Sequence, residues 1–170
     1  MLWYYYNTYI VKNIGQKKHS MRMVLQRVTA AQVTVQGSIV GSIGTGLVVL
    51  VGITNNDTMQ DVAWLTHKLL HMRIFDNEQG IMDCNVQDVQ GELLIVSQFT
   101  LMASTRKGNR PSYSHAANEA IALPLYQQLV LHISQQYAGK VATGIFGAAM
   151  QVSLCNHGPV TIIIDSKLKE

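Results

Sequence analysis

The sequence predicts a single α+β domain, and three observations support this fold class. The chain has 170 residues, 48% of them hydrophobic, which is the size and composition of one globular domain. Several short apolar segments rich in β-branched residues are typical of strands, and two longer segments with apolar residues every three or four positions are typical of helices. Neither an internal repeat nor a linker divides the chain.

The first strands are expected between residues 22 and 54. Val24 and Val28 fall on an alternating pattern and Gly37 marks a turn, which predicts antiparallel strands. Gly44-Thr45-Gly46 is expected to be another turn, because it lacks the third glycine and the following helix of a dinucleotide-binding loop. The apolar run at residues 47–51 predicts a fully buried strand.

Two helices are predicted. The first is expected to take its N-cap from Asn55-Asn56-Asp57 and to run toward Arg73. The second has apolar residues four positions apart: Ile121, Leu125, Leu129 and Ile133. Because proline is accommodated only in the first turn of a helix, Pro124 predicts that this helix begins near Leu123, and it is expected to stop at Gly139.

The remaining strands lie in the second half of the chain. A buried strand is expected from Glu92 to Phe99, followed by a polar, basic loop. Three more strands are expected at residues 141–146, 150–155 and 160–165. Asn156-His157-Gly158-Pro159 is interpreted as a turn between the last two of these strands.

The positive net charge comes from the first 20 residues. Lys12, Lys17 and Lys18 lie there without any acidic residue, which leaves ten Lys and Arg against ten Asp and Glu in residues 21–170. A neutral body argues against coating nucleic acid by counterion release, so any RNA contact is expected to be local.

Residues 1–20 are predicted to be an N-terminal extension, disordered or not native, and residues 21–170 to be the domain. The extension is apolar first and basic afterwards, which is the reverse of a secretory signal; a membrane-surface anchor is the alternative. No apolar run reaches the ~18 residues that span a bilayer, so a soluble, cytoplasmic protein is expected.

The cysteines and histidines predict neither a disulfide nor a metal site. Cys84 and Cys155 are the two cysteines, without a CxxC motif, and two reduced thiols are expected. His67 and His71 have zinc-ligand spacing on the first helix but lack a third ligand.

Six segments of the chain match one family in order and spacing. They are Met21–Val28, Arg73–Asp76, Ser97-Gln98-Phe99-Thr100-Leu101, Lys107–Tyr113, Phe146–Met150 and Asn156-His157-Gly158-Pro159-Val160-Thr161. With these segments, the chain from about residue 21 to 165 resembles the D-aminoacyl-tRNA deacylases, which remove wrongly attached D-amino acids from tRNA.

The resemblance implies a fold, a reaction and a partner. The fold is a barrel-like core of antiparallel and mixed sheets with two main helices, assembled as a homodimer. The reaction is hydrolysis of the ester of D-aminoacyl-tRNA, and of glycine misattached to tRNA(Ala), to free tRNA and amino acid, without a cofactor. In the homodimer, Gly158-Pro159 of one subunit is expected to reach the pocket of the other.

Gly158-Pro159 is where the resemblance changes the expectation most. From the sequence alone the peptide bond is expected to be trans, because only about 5–6% of X-Pro bonds are cis in folded proteins. The resemblance implies a cis bond whose main-chain oxygens reject the side chain of an L-residue. Such a filter is blind to the identity of the D-side chain and accepts glycine.

The motif at residues 97–101 is expected to bind the aminoacyl ester. Ser97, Gln98, Phe99 and Thr100 are its candidate residues, with the N–H groups of Phe99 and Thr100 holding the carbonyl oxygen as charge develops and Phe99 facing the terminal adenine. The alternative is an ordinary strand end with Phe99 in the core. Attack by water, assisted by the 2′-hydroxyl of the tRNA, is the favoured mechanism, and Thr100 as nucleophile is the runner-up.

Further candidates come from the resemblance and from charge. Met150, Arg22 and Gln26 are expected near the substrate, although an apolar filler and an exposed charge are the plain alternatives for Met150 and Arg22. A basic cluster is expected to bind the tRNA acceptor stem, and the alternative is a solvated surface loop. The cluster consists of Arg106, Lys107 and Arg110.

Two other functions remain open. A catalytic triad of Ser97, His157 and Asp165 can be drawn from the sequence. The family that the chain resembles does not require histidine at position 157, so His157 is interpreted as a solvent-facing turn residue. This departure keeps a non-catalytic RNA-end binding module as the alternative function, and a purely structural dimer is the third reading.

Overall fold

The computed structural model describes residues 20–168, which form one α+β domain as predicted. The strands are β1 (Arg22–Val35), β2 (Ser38–Ile43), β3 (Gly46–Gly52), β4 (Phe75–Asp76), β5 (Met82–Cys84), β6 (Glu92–Ser97), β7 (Val141–Thr143) and β8 (Gln151–Asp165). The helices are α1 (Met59–His71) and α2 (Glu119–Gln136), and a 3-10 helix spans Phe99–Met102. Apart from Ser20, the predicted N-terminal extension lies outside the described residues.

The long strand β1 organises the main sheet. It pairs antiparallel with β2, β3 and β8, while β3, β6 and β7 pair in parallel. The sheet curls until β2 approaches β7, so that a Cβ on Gly41 would collide with the Thr143 carbonyl oxygen. Only glycine permits this approach, and the result is the nearly closed, barrel-like sheet that the resemblance implied.

Two apolar clusters lie on opposite faces of this sheet. The larger cluster packs α1 and α2 against the sheet and includes Leu65, Leu69, Leu129 and Ile133, each fully buried. The smaller cluster fills the inside of the curl and includes Val28, Val33, Val48 and Leu94, each fully buried. The helices therefore cover one face only.

The start of α1 differs from the prediction. The N-cap is Thr58, whose side chain accepts from the N–H of Gln60 while the Asp61 carboxylate accepts from the N–H of Thr58. This capping box satisfies two backbone donors at once. Asp57, which the sequence had suggested for the cap, instead accepts from the N–H groups of Met21 and Thr54.

The start of α2 was also predicted wrongly. The helix begins at Glu119, capped by Asn118, whose side chain accepts from the N–H of Ile121. Pro124 therefore lies in the second turn and leaves the carbonyl of Ala120 without its usual helical donor. Ala120 is exposed, so water can take that place.

The last strand is continuous. The sequence predicted two strands separated by a turn at residues 156–159, but β8 runs through this segment from Gln151 to Asp165. Two other predicted strands end early, β6 at Ser97 and β7 at Thr143. Neither helix among residues 20–168 has the length and hydrophobicity needed to cross a bilayer.

Candidate active site

A cavity of about 390 Å³ opens beside the end of β6. Its walls come from the ends of β3 and β6, the start of α2 and the segment before β8: Val51, Ile53, Val96, Ser97, Gln98, Phe99, Ala117, Glu119, Ala122, Phe146, Gly147, Ala148, Met150 and Val152. Most of these residues are apolar, and Glu119 is the one charged residue among them. The cavity thus suits a largely apolar group with a few polar contacts.

The 3-10 helix forms one lip of the cavity. The N–H of Gln98 donates to the Val51 carbonyl oxygen at 2.7 Å, which fixes the point where the chain leaves β6. Phe99 is the first residue of the 3-10 helix and its side chain is 57% exposed, so the alternative that Phe99 is a core residue is wrong. The first N–H groups of a helix have no intrahelical acceptor, which leaves those of Phe99 and Thr100 available to a ligand.

The Thr100 hydroxyl has an amide as its neighbour. Gln98 Nε2 donates to Thr100 Oγ1 at 2.6 Å. An amide N–H is a donor and cannot take a proton from the hydroxyl. The observed partner of this hydroxyl is therefore a hydrogen-bond donor and not a general base.

Gly158 and Pro159 lie in a bulge of β8, and the bond between them is cis, as the resemblance implied. Between the pairs Gln26–Thr161 and Val28–Asn156, β1 advances two residues while β8 advances five. Residues 157–159 therefore form the exposed part of the bulge opposite β1, and Val160 returns to the core. Within one chain this bulge does not line the cavity.

The side chain of Arg27 holds the bulge. It is 4% exposed, its Nε donates to the His157 carbonyl oxygen at 3.1 Å, and its Nη1 donates to the Ile74 carbonyl oxygen at 2.9 Å. Asp76 lies 3.3 Å from Nη1 and supplies the counter-charge. One buried guanidinium thus ties β1 to the bulge and to the chain before β4.

Sequence reasoning missed Arg27, although a signal was present. Met23, Leu25 and Arg27 share the same phase of β1, and the first two are fully buried. An arginine in phase with core residues points inward, and a buried charge requires several partners. His157 contributes its carbonyl oxygen to this contact and its side chain lies in an exposed stretch, as predicted.

Arg22 holds the other side of the 3-10 helix. Its Nη1 donates to the Leu101 carbonyl oxygen at 3.0 Å, and its Nη2 lies 3.2 Å from the Asp165 carboxylate. Burial works to raise the pKa of Asp165, but hydrogen bonds from Ser20, from the N–H groups of residues 167 and 168 and from Arg22 outweigh it, so the pKa is lowered. The lowered pKa keeps Asp165 ionised opposite the guanidinium.

The structure brings together some of the predicted site residues and not others. Four line the cavity: Ser97, Gln98, Phe99 and Met150. Gln26 accepts from the Thr161 hydroxyl at 2.9 Å, just beyond the bulge. The three basic residues lie exposed on the loop that follows the 3-10 helix: Arg106, Lys107 and Arg110.

Metal-ligand geometry is absent from the part of the chain that the structure describes. No group of three or more His, Cys, Asp or Glu side chains is placed to hold an ion there. The His67 and His71 rings stack with centroids 4.3 Å apart, and His71 Nδ1 donates to the His67 carbonyl oxygen. Cys84 and Cys155 are free.

Comparison with known proteins gives one consistent result. Residues 24–165 match the family described as D-Tyr-tRNA(Tyr) deacylase. A D-aminoacyl-tRNA deacylase of Flavobacterium johnsoniae is 53% identical over 150 residues, which are 88% of this chain and 100% of that one.

Two solved structures have the same fold. A c-Myc DNA unwinding element binding protein is 39% identical, with a TM-score of 0.81 over 85% of this chain and 97% of that one. A probable eukaryotic D-amino acid tRNA deacylase is 17% identical, with a TM-score of 0.75 over 86% of this chain and 99% of that one, and shows the likeness of fold alone.

The contact between Arg27 and Gly158 predicts the effect of adding one methyl group. Gly158 has φ +117°, and a Cβ there would lie 2.8 Å from Arg27 Nη2, whereas Gly80 has φ +73° and no atom within 4 Å of its Cβ position. We expect Gly80→Ala to cost about 1 kcal/mol, the penalty for a left-handed residue. Gly158→Ala should cost clearly more, because the guanidinium must also move.

Urea unfolding of both variants measures this difference. The slopes of the unfolding curves should match that of the parent protein, so that the midpoints report stability alone. Equal losses in the two variants would contradict a tight contact between Arg27 and the bulge.

Proposed function

The chain belongs to the D-Tyr-tRNA(Tyr) deacylase family, and from that membership we propose that it hydrolyses the ester bond of D-aminoacyl-tRNA at this cavity. The products are free tRNA and the D-amino acid, and glycine misattached to tRNA(Ala) is also a substrate. The observation that carries the proposal is the cavity itself, where two family segments, Ser97–Phe99 and Phe146–Met150, meet on one chain.

The cavity takes the end of the tRNA. Its volume of about 390 Å³ is within the range of small-molecule sites, and its apolar walls suit the flat terminal adenine. Phe99 and Met150 contact the adenosine from opposite lips. The ester then lies over the start of the 3-10 helix, where the N–H groups of Phe99 and Thr100 stabilise the oxyanion.

Water is the nucleophile in this proposal. The Thr100 oxygen accepts a hydrogen bond from the Gln98 amide, which cannot act as its general base. The chain positions the ester, and the neighbouring 2′-hydroxyl of the tRNA assists the attacking water. Gln98 and Thr100 keep the lip of the cavity in one conformation, and Arg22 holds it from the other side through Leu101.

Discrimination between D- and L-residues requires a second copy of the chain. The bulge with Gly158 and Pro159 is outside the cavity of its own chain, and residues 151–159 are all exposed. Val152 and Leu154 on this stretch are each 37% exposed, which suits burial in an interface. In the homodimer the bulge reaches the partner's cavity, and its main-chain oxygens exclude an L-side chain.

The basic loop binds the acceptor stem. Arg106, Lys107 and Arg110 are exposed, and none of them forms an ion pair within residues 20–168. Free cations beside the cavity are suited to phosphate oxygens. We place the reaction in the cytoplasm, where aminoacyl-tRNA is made and used.

Hydrolysis of two tRNA esters tests the proposal. The chain should release D-tyrosine from D-tyrosyl-tRNA rapidly and leave L-tyrosyl-tRNA at its spontaneous rate of loss. The measurement is the labelled amino acid that remains attached to acid-precipitable tRNA over time. Binding of both esters without hydrolysis would overturn the enzymatic reading and support a non-catalytic RNA-end module.

The role of Thr100 makes a separate prediction. Thr100→Ala should keep kcat for D-tyrosyl-tRNA within a few-fold of the parent value, because water attacks the ester. Thr100→Ser is the matched control, since it keeps the oxygen that accepts from Gln98. Loss of a covalent nucleophile costs on the order of 10⁶-fold in kcat in a serine hydrolase, so a loss approaching that size in the Ala variant alone would establish Thr100 as the nucleophile.

A further inference from the structure

Two exposed aromatic rings meet at the mouth of the cavity. The side chains of Phe99 and Tyr113 are 57% and 41% exposed, their ring centroids are 5.1 Å apart, and their planes meet at 71°. Such an edge-to-face pair holds both rings in place. Both residues remain accessible to solvent, and the hydrolysis proposed above gives Tyr113 no role.

The backbone fixes Tyr113 beside the basic loop. Ser104 and Ser112 exchange two backbone hydrogen bonds of 2.8 and 2.9 Å, which close the loop at its base. Tyr113 directly follows this closure. The loop carries Arg106, Lys107 and Arg110, which form no ion pair with any other residue in the described range 20–168. The segment between Glu92 and Glu119 has neither Asp nor Glu, so Tyr113 and the basic loop belong to a stretch of chain whose Asp, Glu, Lys and Arg residues are all basic.

The ring geometry separates two binding positions. Phe99 lines the cavity and Tyr113 does not. Because the planes are far from parallel, a base lying on Tyr113 cannot remain stacked on a base that lies against Phe99. A single strand whose last base turns into the cavity, while the preceding base stays outside, matches this arrangement.

We propose that Tyr113 is the stacking surface for the penultimate base of the unpaired tRNA 3′ end, the cytosine next to the terminal adenosine. The inference rests on the proposed function and adds a second nucleotide position to it. Aromatic side chains bind single-stranded bases through their faces, and neighbouring cations hold the phosphates between them. The same stacking turns the terminal adenosine away from its neighbour and into the cavity.

Substrates of two lengths test the proposal. The first is D-tyrosyl-tRNA, which carries the penultimate cytosine, and the second is D-tyrosyl-adenosine, which does not. For Tyr113→Ala we expect KM for the tRNA to rise about 5-fold or more, the lower end of the measured worth of base stacking. KM for the adenosine ester should stay unchanged, and Tyr113→Phe should restore the tRNA value.

A matched control tests whether the loss of any exposed apolar side chain raises KM in the same way as Tyr113→Ala. Leu131→Ala removes a side chain that is 50% exposed on α2, about three helical turns from the cavity residue Glu119, and should leave both KM values unchanged. Thermal unfolding of each variant verifies that it is folded.

Three outcomes would overturn the assignment. These are unchanged kinetics of Tyr113→Ala on both substrates, an equal rise in KM on both, and failure of Tyr113→Phe to restore binding. If the parent protein hydrolyses neither ester, the proposed function itself fails, which is a different result from any effect of Tyr113.

Discussion

The buried guanidinium of Arg27 is the constraint on which the rest of the site depends. A charge that is 4% exposed needs partners on every side, and removing one side of a buried pair costs about 3–5 kcal/mol. Arg27 finds its partners in the carbonyl oxygens of His157 and Ile74 and in Asp76. A single side chain on β1 therefore sets where the bulge of β8 stands, and Gly158 leaves the room for it.

The sheet separates the cavity from the bulge of β8, the two parts of the chain to which we assign the reaction. The helices cover one face and complete the cavity through the start of α2. The exposed part of the bulge of β8, residues 157–159, lies outside this cavity. This separation is the reason we propose a homodimer, because the ester-binding cavity and the main-chain filter meet only when two copies combine.

Much of the fold was predictable because it depends on local patterns. The buried faces of α1 and α2 follow from apolar spacing, and Leu65, Leu69, Leu129 and Ile133 are all in the core. The helix starts were not predictable in the same way, because several residues that could serve as N-cap lie next to one another. Thr58 is the N-cap of α1 because it forms reciprocal hydrogen bonds with Asp61. Asn118 is the N-cap of α2 although this places Pro124 beyond the first turn. The role of Arg27 depends on a partner 130 residues away, and no local pattern encodes such a contact.

Stereoselectivity of an Arg27→Met variant tests the central claim most directly. The measurement is the ratio of the enzyme-catalysed rates for D-tyrosyl-tRNA and L-tyrosyl-tRNA. Each rate is taken after subtraction of the spontaneous loss, at enzyme concentrations high enough to detect hydrolysis of the L-ester, so that the fraction of folded protein cancels. Without the anchor the bulge loses its fixed position, so the ratio should fall by about tenfold or more, equivalent to about 1.4 kcal/mol of discrimination. A ratio equal to that of the parent protein, whatever the loss in total activity, would contradict the account.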